Sequence, residues 1–145
     1  MVKRRWPMIV FVLWTLYVWT TRIVNAWSAS DESTGAKVVS TISAVVLLVG
    51  AIAVARVLVV ARQRTLTGVE ARLVTILGVG TIVVWAVRIP QILLDDRGAA
   101  FKAVHVVLGA ISIALALLSM RVASRSVADD HAATPVVSPA ANAGR

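Results

Sequence analysis

The sequence predicts an all-α fold: a four-helix transmembrane bundle built from two similar helical hairpins. Three observations carry this expectation. Hydrophobic residues are 59% of the 145, and they gather into four long runs with few charges inside them. At about 1.5 Å per residue each run is long enough for a hydrocarbon core of roughly 30 Å. Charged residues are 15% of the chain, well below the soluble average of about 25%. Finally, a short motif around Trp19 and Arg22 returns around Trp85 and Arg88.

The first hairpin is expected over residues 1–60. Lys3, Arg4 and Arg5 precede an apolar run from Trp6 to Val24. Val24-Asn25-Ala26 has the small-residue pattern of a signal-peptide cleavage site. Trp14, Tyr17, Trp19 and Arg22 make a poor signal core, however, and an even number of crossings fits the charge pattern, so the run reads as a retained helix. Trp6 and Trp27 then sit at the two membrane surfaces, where aromatic residues concentrate. A polar loop from Ser28 to Lys37 follows, with Ser33 or Thr34 placed to cap the next helix. The second run spans Val38 to Val60, with Arg56 near enough to its far end to reach the headgroups.

Residues 61–72 read as a short cytoplasmic connection, which forces the second and third helices into antiparallel neighbours. The second hairpin covers 73–122, with runs from Leu73 to Leu94 and from Phe101 to Val122. Pro90 either ends or kinks the third helix, since its ring removes one backbone hydrogen bond. From Ala123 to Arg145 the residues show no period, and Pro135 and Pro139 break any helix. That stretch is expected to be a disordered cytoplasmic tail.

Charge sets the expected orientation. With the N-terminus inside, Lys3, Arg4, Arg5, Arg56, Arg62, Arg64, Arg72, Arg121, Arg125 and Arg145 fall on or near the cytoplasmic side. Only Arg22, Lys37, Arg88, Arg97 and Lys102 fall on the other. This bias predicts a multi-pass protein of the cell membrane with both termini cytoplasmic. The formal net charge is +8, but its placement at the ends of apolar runs is that of topology signals and not of a nucleic-acid stripe. The absence of cysteine removes thiolate chemistry and cysteine-ligated metal sites.

The repeat is the most informative pattern. Trp19-Thr-Thr-Arg22-Ile23-Val-Asn25 corresponds to Trp85-Ala-Val-Arg88-Ile89-Pro-Gln91. Each copy leads to an acidic pair (Asp31-Glu32; Asp95-Asp96), a glycine (Gly35; Gly98) and a lysine (Lys37; Lys102). A duplicated hairpin would relate its halves by a pseudo-twofold axis along the membrane normal. Two unrelated hairpins obeying the same interfacial rules remain the alternative. Within the second half, Trp85, Ile92-Leu-Leu-Asp95-Asp96, Gly98, Phe101, Val104-His105, Leu108 and Ser112 resemble a small two-helix membrane protein family of actinobacteria that has no assigned activity. The resemblance covers about Arg72 to Arg121, more weakly the first half, where Ser40 stands at the position of His105 and Ala36 at that of Phe101. It implies membrane location and hairpin architecture and supplies no chemistry.

Candidate site residues form two groups. A polar cluster at the outer face comprises Arg88, Asp95, Asp96 and His105. Trp85, Arg88, Gln91 and Asp95 share one face if the helix survives Pro90, so Arg88 is placed to meet Asp95. Arg88 reads first as an interfacial anchor and second as a substrate or ion contact. His105 reads as a packed histidine bonded to Asp95, Asp96 or a backbone group. A proton-linked role is open to it, whereas haem ligation would need a second intramembrane histidine, and His131 lies in the tail. The second group, Ala51, Ala55, Gly109, Ser112 and Ala116, consists of small residues at helical spacing, suited to close helix packing. The face of the second helix that carries Ser40, Ala44, Ala51 and Ala55 is a candidate contact for the fourth helix or for a partner.

No nucleophile with a base, phosphate loop or metal spacing stands out. The expectation is therefore a non-enzymatic integral membrane protein without cofactors, acting through helix packing or partner binding. Its partners would be the lipid bilayer and a second copy or another membrane protein. The alternative is a small transporter, channel or holin-like permeabilising protein.

Overall fold

In a computed structural model of the chain, which describes residues 5–28 and 33–133, four helices follow one another: α1 (Trp6–Ser28), α2 (Thr34–Val60), α3 (Gly68–Leu94) and α4 (Ala99–Ala133). Among the described residues there are no strands. All four helices are long and apolar enough to cross a membrane. These are the features of a multi-pass membrane protein, and the all-α four-helix expectation holds. Asp31 and Glu32 lie outside the described residues.

The helices form a ring. α1 packs on α2 and α4, and α3 packs on α2 and α4, so α1 faces α3 and α2 faces α4 across the diagonals. Small residues make the close approaches possible. A Cβ on Gly109 of α4 would lie 2.7 Å from Trp85 Cε3, and one on Gly78 of α3 would lie 2.6 Å from Met120 Sδ. Outward faces carry valine and isoleucine, such as Val39, Val46, Val49 and Ile76, all exposed, the composition a lipid-facing surface needs. Hydroxyls are satisfied within their own helices: Thr15 Oγ1 donates to Phe11 O at 2.7 Å and Thr75 Oγ1 to Ala71 O at 3.0 Å. In lipid such back-bonding removes the cost of an unpaired donor.

One end of the ring is sealed. Met8 and Phe11 of α1, Leu66 of the α2–α3 connection and Val74 of α3 are almost entirely buried, in one cluster with Ala61 and Ala123. The Arg5 guanidinium donates to Ala61 O at 2.5 Å and to Arg64 O, holding carbonyls beyond the end of α2. Leu66 N–H donates to Ser126 Oγ at 3.0 Å. Thr67 caps α3 in a reciprocal box with Glu70, and Glu70 also pairs with Arg64 at 2.6 Å.

Three expectations are corrected here. The connection between the hairpins ends at Thr67 and not at Arg72, because the Thr67–Glu70 box starts the helix two turns' worth of polar sequence earlier than the apolar run does. α4 continues past Val122 to Ala133, because Ala123 is fully buried and Ser126 caps a connection N–H. The expected tail can thus begin only after Ala133, and residues 134–145 lie outside the described residues. α2 and α4 are diagonal, so the small face of α2 packs on its ring neighbours α1 and α3. α3 also runs through Pro90 without ending.

Candidate functional site at the open end of the bundle

At the opposite end the helices part. A cavity of about 470 Å³ opens between α1, α3 and α4. α1 supplies Tyr17, Thr21, Arg22 and Asn25 to its wall; α3 supplies Trp85, Arg88 and Ile92; α4 supplies Phe101, Val104, His105 and Leu108; and the turn adds Asp95 and Arg97. On α1 and α4 these positions recur at three and four residues, so each helix turns one continuous stripe toward the space.

The floor is set by packing. Trp19 and Trp85, from diagonal helices, meet with ring centroids 6.4 Å apart, and both are at least nine-tenths buried. Below them Trp14 Nε1 donates to Ser112 Oγ at 2.9 Å, joining α1 to α4. Ser119 Oγ donates to Pro7 O at 3.2 Å and closes the same seam further down. Buried Trp85 leaves its indole N–H without an acceptor among the described residues, as Thr81 does its hydroxyl one turn earlier.

Two arginines converge beside this floor. Arg22 Nε donates to Ser40 Oγ at 3.1 Å and Arg88 Nη2 donates to the same oxygen at 3.2 Å. Ser40 is buried on α2. One hydroxyl thus receives guanidinium groups from α1 and from α3, and two positive charges stand close together in a half-buried place. Like charges at short range raise the affinity of the region for an anion.

The rim is layered. Asp95 leaves the helix with extended backbone, φ −73° and ψ 152°, and its carboxylate accepts from Arg97 Nε at 3.1 Å. The Arg97 guanidinium lies 4.8 Å from the centroid of Phe101, and Phe101 lies 4.0 Å from the His105 ring. His105 Nδ1 is 2.9 Å from Phe101 O. A carbonyl only accepts, so Nδ1 carries the hydrogen and Nε2 of the neutral ring is left as an acceptor.

The sequence-predicted cluster is therefore brought to one place with different partners. Arg88 meets Ser40 across the bundle and Asp95 meets Arg97. The expected Arg88–Asp95 meeting is not the arrangement found, because Asp95 has already left the helical register that would align them. His105 takes the backbone alternative. Asp96 is exposed, with its N–H bonded to Asp95 Oδ1 at 2.9 Å, and does not line the cavity. Of the small residues, Ala51, Gly109, Ser112 and Ala116 are buried inside the bundle and Ala55 is half-buried; their faces are used within the chain. Sequence reasoning passed over Tyr17, Asn25 and Ser40 as site residues, although the repeat that aligns Asn25 with Gln91 and Ser40 with His105 was signal enough to pair them.

A second cavity, of about 460 Å³, lies between α2 and α3 and is lined by Val39, Ser40, Ser43, Val83, Val84, Val87, Arg88 and Gln91, with Trp19 and Gly35. Its α3 stripe matches the α1 stripe of the first cavity position by position: Val83 stands for Tyr17, Val84 for Val18, Val87 for Thr21, Arg88 for Arg22 and Gln91 for Asn25. Its α2 stripe matches that of α4, with Val39 for Val104, Ser40 for His105 and Ser43 for Leu108.

Comparison of the chain with protein-family models, with curated proteins and with solved structures finds no match.

Proposed function

We propose that this chain is a non-enzymatic multi-pass membrane component of the cell membrane that engages its partner at the open end of the bundle, with both termini cytoplasmic. The observation that carries this reading is the contrast between the two ends. One is filled by Met8, Phe11, Leu66 and Val74, all close to fully buried, and the other holds a cavity walled by arginine, aromatic and hydroxyl groups. Such groups hold a ligand or a partner's side chains through charge, stacking and hydrogen bonds. The Lys and Arg bias supports placing the sealed end inside. The matched stripes of the two cavities support a duplicated hairpin, in line with the resemblance to two-helix actinobacterial membrane proteins.

The test is crosslinking in native membranes from photoreactive side chains placed at Tyr17, Asn25 or Gln63. Tyr17 and Asn25 line the cavity, and Gln63 is exposed at the sealed end. Adducts, to protein or lipid, are expected to concentrate at the first two. Adducts at Gln63 alone would overturn the assignment. The transporter or holin-like alternative requires a path through the filled end, and leakage of a broad panel of ions and solutes from reconstituted vesicles would favour it.

A further inference from the structure

We propose that the cavity between α1, α3 and α4 binds an anionic lipid, with its phosphate held by Arg22 and Arg88 and an acyl chain leaving between α1 and α4. The proposal deepens the reading of the open end as the binding face and rests on it.

The headgroup position follows from donors. Arg22 and Arg88 both reach Ser40 Oγ, at 3.1 and 3.2 Å, and both line the cavity. Guanidinium forks match phosphate oxygens in geometry as well as charge. Trp85, 5% exposed, lines the same space with an indole N–H that has no acceptor among the described residues. A phosphate oxygen is an acceptor of the kind that this buried donor lacks. Basic pockets between transmembrane helices are a recurrent means of holding anionic headgroups.

The choice of a lipid over a soluble phosphate ester follows from the mouth. Tyr17 on α1 and Val104 on α4 border the cavity and are 63% and 56% exposed. Tyr17 lies roughly 16 Å of helix rise from Ser28, at the depth of acyl chains and below the headgroups. An amphiphile can enter there sideways from the bilayer, whereas a soluble ester has to come past Asn25 and Arg97 at the end. The volume, about 470 Å³, is within the roughly 300–1,000 Å³ of ligand sites, enough for a headgroup and the start of a chain.

The test uses the full chain in detergent micelles loaded with phosphatidylglycerol and phosphatidylcholine in equal amounts, with retained lipid measured by native mass spectrometry. Phosphatidylglycerol is expected to be retained in preference. Arg22→Gln and Arg88→Gln are each expected to lower its affinity about tenfold or more, the scale of one charge-assisted hydrogen bond, while Arg62→Gln at the sealed end changes nothing. Where an arginine variant does not fold, Thr21→Trp, which fills the cavity from an exposed wall position, is expected to give the same loss. Equal retention of both lipids, or retention unchanged in Arg22→Gln, Arg88→Gln and Thr21→Trp, would overturn the proposal. Displacement by millimolar glycerol 3-phosphate without any lipid preference would overturn it too, in favour of a soluble ester. If crosslinks persist at Tyr17 and Asn25 while the lipid preference is absent, only the ligand class falls; if both are absent, the binding face falls with it.

Discussion

The cavity between α1 and α4 and the cavity between α2 and α3 occupy equivalent places in the two hairpins, yet their walls differ. Tyr17 and Thr21 in the first correspond to Val83 and Val87 in the second, and His105 and Leu108 correspond to Ser40 and Ser43. The arginines, Arg22 and Arg88, are common to the two stripes. What is shared sets the frame, because a tryptophan and an arginine from each hairpin meet at the bundle centre. What differs sets the chemistry. The α2–α3 cavity has a valine wall, and its Ser40 hydroxyl is occupied by both guanidinium groups. In the α1–α4 cavity an aromatic rim, a histidine acceptor and Arg97 surround the space. A repeated architecture thus offers two recesses of nearly equal volume and equips one of them for a polar occupant.

That contrast can be broken at the wall that only the first cavity has. Gly109 lets α4 approach Trp85, and an added Cβ would lie 2.7 Å from Trp85 Cε3 and 2.8 Å from Ile89 Cδ1. Gly109→Ala is expected to cost about 1–3 kcal/mol by overpacking and to displace the Trp85 wall, read as a lower unfolding midpoint in detergent and altered tryptophan emission. Gly98→Ala, with nothing within 4 Å of the added atom, is the control expected to cost nothing in packing. A smaller effect sharpens the comparison at the floor. Ser112→Ala removes the Trp14 hydrogen bond between α1 and α4, and interhelical hydrogen bonds in membranes average about 0.6 kcal/mol. The expected result is a small loss of stability in the same unfolding measurement, with the α2–α3 seam unaffected in cysteine crosslinking.

Much of this architecture was legible in the sequence because lipid imposes simple rules. Trp6, Val60 and Leu94 bound apolar runs, and they are also helix ends in the structure. The errors arose where polar chemistry extends a helix. Thr67 and Glu70 form a capping box whose spacing was visible, but hydropathy placed the start of α3 later. Ala123 and Ser126 look like tail composition, and only their contacts with the connection, a buried methyl and a hydrogen bond to Leu66 N–H, show why α4 continues. The cavity was half legible: the repeat picked out Trp85 and Arg88. One-dimensional spacing could not show that they meet Trp19 and Ser40 across the ring, nor that α2 and α4 are diagonal.

The central claim is that four helices cross the bilayer with the cavity facing outward and the sealed end inward. The absence of native cysteine allows single-site labelling without background. Ser28→Cys and Gly98→Cys mark the open end, and Gln63→Cys and Ala132→Cys mark the sealed end; all four positions are exposed. In intact cells a membrane-impermeant maleimide is predicted to modify positions 28 and 98, and to reach 63 and 132 only after permeabilisation. Modification of 63 and 132 in intact cells, or of 28 without 98, would contradict the account.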